Sequence, residues 1–241
     1  MSRYNQSFSG ISYPQWSRAV KTLVIACGIA FLLEIFDGMA GGPSIVSKFG
    51  LTPALVTQRY YLWQLVTYIF LHDGFLHILF NMLGLWMFGS ELERLWGSRE
   101  FTKFFFICGI GAGLLTVLFS PHSLTTTIGA SGSIYGILLA YGMTFPNRII
   151  YWIIFPIPAK WLVTIFGAMA FFSSLSTSGG GIAHIANLGG MLFAFLYLKG
   201  GSLLKIRQHY ERWQRNRLRK KFDVYYNGRR RDDDARWRPW R

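Results

Sequence analysis

Charge is the first thing this chain is short of. Asp, Glu, Lys and Arg make up 15% of its 241 residues, against about 25% in an average soluble domain. A water-soluble protein of this length surrounds its core with charged surface, so the shortage argues against a soluble fold. Acidic residues are the scarcest, 11 in all. Inside the apolar segments only Glu34 and Asp37 are acidic, which leaves a small ion-coupled transporter the weakest of the membrane readings. Cysteine is limited to Cys27 and Cys108. Each lies within an apolar run and neither has metal-ligand spacing, so a disulfide scaffold and a thiolate metal site are both excluded. No repeat of 20–50 residues is present. No cleavable leader is expected, because the first 17 residues are polar and aromatic.

Apolar residues are what the chain has in abundance: 51% are hydrophobic and 17% aromatic, with a mean hydropathy of +0.28. A spanning helix needs about 20 mostly apolar residues. Six segments answer to this, at 20–38, 74–90, 101–119, 129–145, 160–177 and 181–199. The expected fold is an all-α integral membrane bundle of six transmembrane helices. Between Met39 and Asp73 the chain is too long and too mixed for a plain turn. Its Gly41, Gly42, Pro43 and Pro53, followed by an aromatic stretch from Tyr60 to Phe70, predict a long structured first loop lying partly in the membrane interface. Pro146, Pro156 and Pro158 bracket the connection between the fourth and fifth segments.

The net charge of +14 is uneven. Residues 205–241 hold 14 of the 25 Lys and Arg and 5 of the 11 acidic residues. Positive charge also marks the N-terminus (Arg3, Arg18, Lys21), the second-to-third connection (Arg94, Arg99, Lys103) and the fourth-to-fifth (Arg148, Lys160). The alternate connections carry almost none, apart from Lys48 and Arg59 spread through the long first loop. By the positive-inside rule both termini are cytosolic, N-in and C-in. Three regions follow: a cytosolic segment at 1–19, a membrane core at 20–199, and a basic cytosolic tail at 200–241. The tail ends in Arg236, Trp237, Arg238, Trp240 and Arg241, which suits acidic lipid headgroups at an interface. Nucleic acid is not an expected partner.

Three polar stretches interrupt the apolar segments. The first is Gly129-Ala130-Ser131-Gly132-Ser133-Ile134-Tyr135-Gly136 at the start of the fourth. Flanking glycines let backbones approach and leave the Ser131 hydroxyl accessible, although small residues also serve helix packing in membranes. The second is His77 with Asn81 on the second segment, one turn apart on one helix face. They form either a structural hydrogen-bonding pair or part of a polar cavity. The third is His184, in Ala183-His184-Ile-Ala-Asn187-Leu-Gly189-Gly190 on the sixth; a lone histidine there is often just a satisfied core group. Topology joins the three. The second, fourth and sixth segments run in the same direction, and His77, Ser131 and His184 each lie near a segment start. At 1.5 Å per residue all fall within ~5 Å of one depth. A serine, an imidazole and further donors at one level are what acyl transfer requires.

On these motifs the sequence resembles the rhomboid intramembrane serine proteases over nearly all of residues 20–199. The GxSG match (Gly129, Ala130, Ser131, Gly132), the HxxxN match and Ala183-His184 occur in the family's order. Trp63-Gln64-Leu65 resembles the family's first-loop Trp-Arg motif with Gln in place of Arg, and Gly89-Ser-Glu-Leu-Glu93 resembles the close of its second span. The resemblance implies six helices around a hydrated cavity and a Ser/His dyad without an acidic third member. Ser131 would be the nucleophile and His184 the general base. Tyr135 would pack under the histidine ring. His77, Asn81 and the Ser131 backbone N–H would form the oxyanion hole. No cofactor, metal or small-molecule partner is implied.

One departure stands out. The family usually has glycine one turn after its histidine, where this chain has Asn187. Many relatives read His-x-Gly-Gly, which would instead put Asn187 in the base position. His184 is retained as the expected base, because it is the one histidine on this segment and Asn cannot take a proton from serine at neutral pH. The expected function is a multi-pass intramembrane serine endopeptidase, acting on transmembrane segments of membrane proteins near their outer ends, in a bacterial-type plasma membrane. The alternative is a catalytically inactive rhomboid-like protein that binds membrane-protein clients.

Overall fold

The long apolar runs fold as helices, since a backbone out of water must satisfy its own hydrogen bonds. A computed structural model of the chain describes residues 16–41, 44–152, 155–174 and 181–202. Helix α1 (Arg18–Met39) comes first. Next are three short helices of the first loop, α2 (Ser44–Phe49), α3 (Pro53–Arg59) and α4 (Gln64–Thr67), with a 3-10 turn at Tyr68–Phe70. Helix α5 (Phe75–Gly84) continues through a π turn (Leu85–Gly89) into α6 (Ser90–Trp96). Then come α7 (Ser98–Phe119) and α8 (Ser131–Thr144). A ribbon of β1 (Ile149–Trp152) and β2 (Phe155–Pro158) leads to α9 (Ala159–Ser174) and α10 (Gly181–Tyr197).

Three helical stretches among the described residues are long and apolar enough to cross a membrane: Arg18–Met39, Phe75–Trp96 and Ser98–Phe119. Helices α8, α9 and α10 cover most of the other three expected segments, residues 175–177 of the fifth lying outside the described residues, and have 14, 16 and 17 residues. At 1.5 Å per residue, α8 extends only ~21 Å. The surface agrees with a lipid environment. Ile29, Leu33 and Phe36 on α1, Phe75 and Phe80 on α5, Leu118 and Phe119 on α7, and Trp161 and Phe172 on α9 are all exposed. A soluble monomer does not carry such an apolar belt. The chain is an integral membrane protein.

Helix α7 sits centrally, with Phe101, Phe104, Phe105, Cys108 and Ala112 wholly buried. It packs most extensively against α10, and α10 in turn against α8. Cys27 and Cys108 are free and buried, consistent with small packing groups. Helix α1 is fastened at its start by Glu93, a buried carboxylate on α6. Glu93 accepts from the amides of Ala19 (2.8 Å) and Val20 (2.9 Å) and from the hydroxyls of Ser17 and Ser98. Free N–H groups at a helix start favour an anion there.

The first loop is ordered, as its composition suggests. Gln64 is wholly buried. Its side-chain oxygen accepts from the Thr52 amide (3.1 Å) and its nitrogen donates to the Lys48 carbonyl (3.3 Å), which also receives the Trp63 indole N–H (3.0 Å). The loop pairs with the approach to α8 through a Leu51–Thr127 bridge. The β ribbon departs from the all-α expectation. Ile149, Ile150, Tyr151 and Trp152 are β-branched or aromatic, which favours extended pairing. In a two-stranded ribbon both strands are edges, so Pro156 and Pro158 are tolerated opposite Tyr151 and Ile149.

A second compact unit begins at Lys199, of which residues 199–202 are described. Most of the basic tail expected at 200–241, from residue 203 on, lies outside the described residues, as do residues 1–15 of the segment expected at 1–19.

Candidate active site

The bend into α8 follows from one glycine. Gly129 has φ +120°, a backbone region that side chains disfavour. A β-carbon there would stand 2.7 Å from Cε1 and 2.8 Å from Nε2 of His77. The His77 imidazole therefore lies directly on the turn that delivers Ser131, the first residue of α8. The Gly129 amide donates to the Tyr68 carbonyl (2.9 Å), and the Tyr68 hydroxyl donates to the Gly109 carbonyl (2.7 Å) on α7. Ser133 donates to the Phe105 carbonyl (2.9 Å). The start of α8 is thus tied to both the first loop and α7.

His77 Nδ1 accepts a hydrogen bond from the Asp73 amide (3.2 Å). A neutral imidazole that accepts at Nδ1 carries its proton on Nε2, so His77 presents an N–H donor toward the Gly129–Ser131 turn. Asn81, one turn on, donates to the His77 carbonyl (2.9 Å) and keeps its second amide hydrogen. Both line a cavity of about 440 Å³ with Ser131 and Tyr135. The rest of its wall is apolar, including Leu76, Phe80, Met87 and Phe166. Tyr135 rests edge-on against Phe166, with centroids 6.2 Å apart. The structure thus brings Ser131, His77, Asn81 and Tyr135 to one cavity. His184 and Asn187 are not part of its wall.

Helices α8 and α10 meet without side chains between them. A β-carbon at Gly132 would stand 3.3 Å from the Ala186 carbonyl oxygen, and one at Gly136 would stand 3.1 Å from that of Gly190. A β-carbon at Gly190 would collide with the Gly132 carbonyl. A four-residue step on α8 thus matches a four-residue step on α10, so the two run parallel. A helical carbonyl points toward the C-terminal end, which puts the Ala186 oxygen roughly at the height of residues 187–188. Ser131 is therefore level with Asn187, and His184 lies about one turn, ~4.5 Å, nearer the start of α10. Asn187 is buried at 8% exposure and His184 is half-buried. His184 Nδ1 and Asn187 Oδ1 are both buried without a hydrogen-bond partner among the described residues.

Next to the cavity is a residue the motifs do not flag. His72, 2% exposed, donates its backbone N–H to both carboxylate oxygens of Glu34 on α1 (3.2 Å each), and its Nδ1 is 3.0 Å from the Phe70 carbonyl. Its ring meets His77 edge-on, with centroids 5.2 Å apart. Burial, with His77 beside it, pushes the His72 imidazole down to about 4. Only the histidine itself could have signalled this residue, since its partners come from distant segments.

A family model described as the Rhomboid domain matches residues 59–202, more than half of the chain. The chain is similar to the Rhomboid protease GluP of Bacillus subtilis (strain 168), at 37% identity over 108 residues, covering 45% of this chain and 20% of that protein. It is 32% identical over 175 residues to RHOMBOID-like protein 1 of Arabidopsis thaliana, covering 70% of this chain and 42% of the relative. Against Rhomboid protein 1, mitochondrial, of Saccharomyces cerevisiae, identity is 26% over 151 residues, 59% of this chain and 44% of the relative. The chain spans from a fifth to under a half of the length of these relatives.

Proposed function

Since the chain belongs to the rhomboid family, we propose that it is an intramembrane serine endopeptidase whose nucleophile is Ser131. The observation that carries this is the shared cavity: Ser131 opens onto it beside the His77 N–H and the Asn81 amide. In the proposed reaction, Ser131 Oγ attacks the scissile carbonyl while His184, about one turn nearer the start of α10, takes the hydroxyl proton through an intervening water rather than by direct contact. His77, Asn81 and the Ser131 N–H donate to the resulting oxyanion. The C–N bond then breaks, the imidazolium returns its proton to the leaving amine, and water hydrolyses the acyl-enzyme. The mostly apolar wall suits an unwound portion of a transmembrane segment, whose carbonyls are free of intrahelical bonds. Transmembrane proteins are thus the proposed substrates. Six spans with both ends cytosolic, supported by the charge pattern, complete this reading.

Labelling of the detergent-purified chain with a fluorophosphonate probe tests it. Labelling lost in both Ser131→Ala and His184→Ala is the expected result, together with cleavage of a transmembrane substrate by the native chain. Labelling that survives Ser131→Ala overturns the assignment of the nucleophile. A second reading, a non-hydrolytic relative that holds membrane-protein clients in the same cavity, is favoured by one observation: an amide, Asn187, stands level with Ser131. Client capture without probe labelling is its signature.

A further inference from the structure

Parallel helices in backbone contact have a fixed register, so the residue on α10 that faces Ser131 can be read from the glycines. Gly132 against Ala186 and Gly190, and Gly136 against Gly190, put Asn187 at the height of Ser131. His184 is a full turn away toward the start of α10. Asn187 is more than nine-tenths buried, and its Oδ1 has no partner among the described residues. A buried amide oxygen left unpaired costs stability and marks a place where a polar group is to be met.

We propose that Asn187 holds the α10 position from which a base reaches Ser131 directly, and that this one side chain keeps acyl transfer at Ser131 slow. The proposal rests on Ser131 being the nucleophile. An amide can donate a hydrogen bond to Oγ but cannot accept its proton near neutral pH, whereas an imidazole can. With a fluorophosphonate, Oγ–P forms, P–F breaks, fluoride leaves, and the hydroxyl proton passes to the base. Asn187→His supplies that base at the level of the serine.

The experiment compares probe labelling rates of the full chain in detergent for the native protein, Asn187→His, and Asn187→His with His184→Ala. The expected result is labelling about 10²-fold faster in Asn187→His, as a positioned general base provides. That rate persists without His184 and falls below pH about 6.5, where an imidazole protonates. Asn187→His labelling no faster than native, or only with His184 present, overturns the proposal. Native labelling then decides separately whether the peptidase reading stands. Should Asn187→His fail to fold, oxidative cross-linking probes the same register. A Ser131→Cys, Asn187→Cys pair should bridge in preference to Ser131→Cys, His184→Cys, because a disulfide needs α-carbons about 4.4–6.8 Å apart. The absence of such a preference overturns the register and the proposal with it.

Discussion

Gly190 lies against the backbone of Gly132 with no space for a β-carbon between them. This contact sets how far α10 slides along α8, and with it which α10 side chain stands beside Ser131. Gly190→Ala forces the helices apart, and overpacking of this kind typically costs about 1–3 kcal/mol. Thermal unfolding in detergent should show the loss, and Ser131 labelling should fall with it. A conservative change on the lipid-facing side of α10, such as Leu196→Ile, should leave both nearly unchanged.

His77 and Asn81 offer donors at the cavity next to Ser131. Removing one oxyanion donor typically lowers the rate about 10²–10³-fold. His77→Phe and Asn81→Leu should each do so in kcat for a transmembrane substrate, with little change in KM. Gly129→Ala should act like His77→Phe, since its β-carbon would occupy the imidazole's place. An unchanged kcat in either donor variant removes that residue from the oxyanion role.

His72 is held neutral by burial, at about 4 against an ordinary value of about 6.5. Above pH 6.5 it is neutral whether the chain is folded or unfolded, and its contribution to stability is constant. Between about 6.5 and 4 the unfolded chain takes up a proton that the folded chain refuses. Stability should therefore fall as pH drops, by up to about 1.4 kcal/mol per pH unit from this group. Glu34, Asp73 and His77 surround it, so the informative quantity is the difference between native protein and His72→Gln. That variant should show a shallower decline across the same window, measured by chemical unfolding at stepped pH.

Gln64 makes two hydrogen bonds while wholly buried. Gln64→Leu leaves the Thr52 amide without its acceptor, which typically costs about 1–3 kcal/mol. Limited proteolysis of the first loop should become faster in this variant, ahead of any change in the helices that follow.

The helices were the legible part of the fold, because run length and apolar content speak directly to the membrane. His77 and Asn81 were legible as a pair because one helical turn separates them. The β ribbon was not: Ile149 to Trp152 reads equally as interfacial loop, and only pairing with Phe155 to Pro158 makes it a strand. Nor was the place of Ser131 relative to α10. Starts assigned from hydropathy are loose by a turn, and one turn is the distance between His184 and Asn187. Backbone contact between glycines resolves that turn, and such contact exists only in three dimensions. His72 was hidden for a similar reason, since Glu34 and His77 reach it from two other helices.

Helix α1 precedes the region matched by the family model, and two carboxylates grip it: Glu93 at its start and its own Glu34 reaching the His72 amide. On its outward flank Ile29, Leu33 and Phe36 are exposed. Beyond these clasps its buried residues are few, Ala19, Val20, Leu23 and Cys27, so a peptide carrying residues 16–41, added to a chain severed between α1 and α2, should reassemble with it in a bilayer, and Glu93→Ala should weaken the reunion.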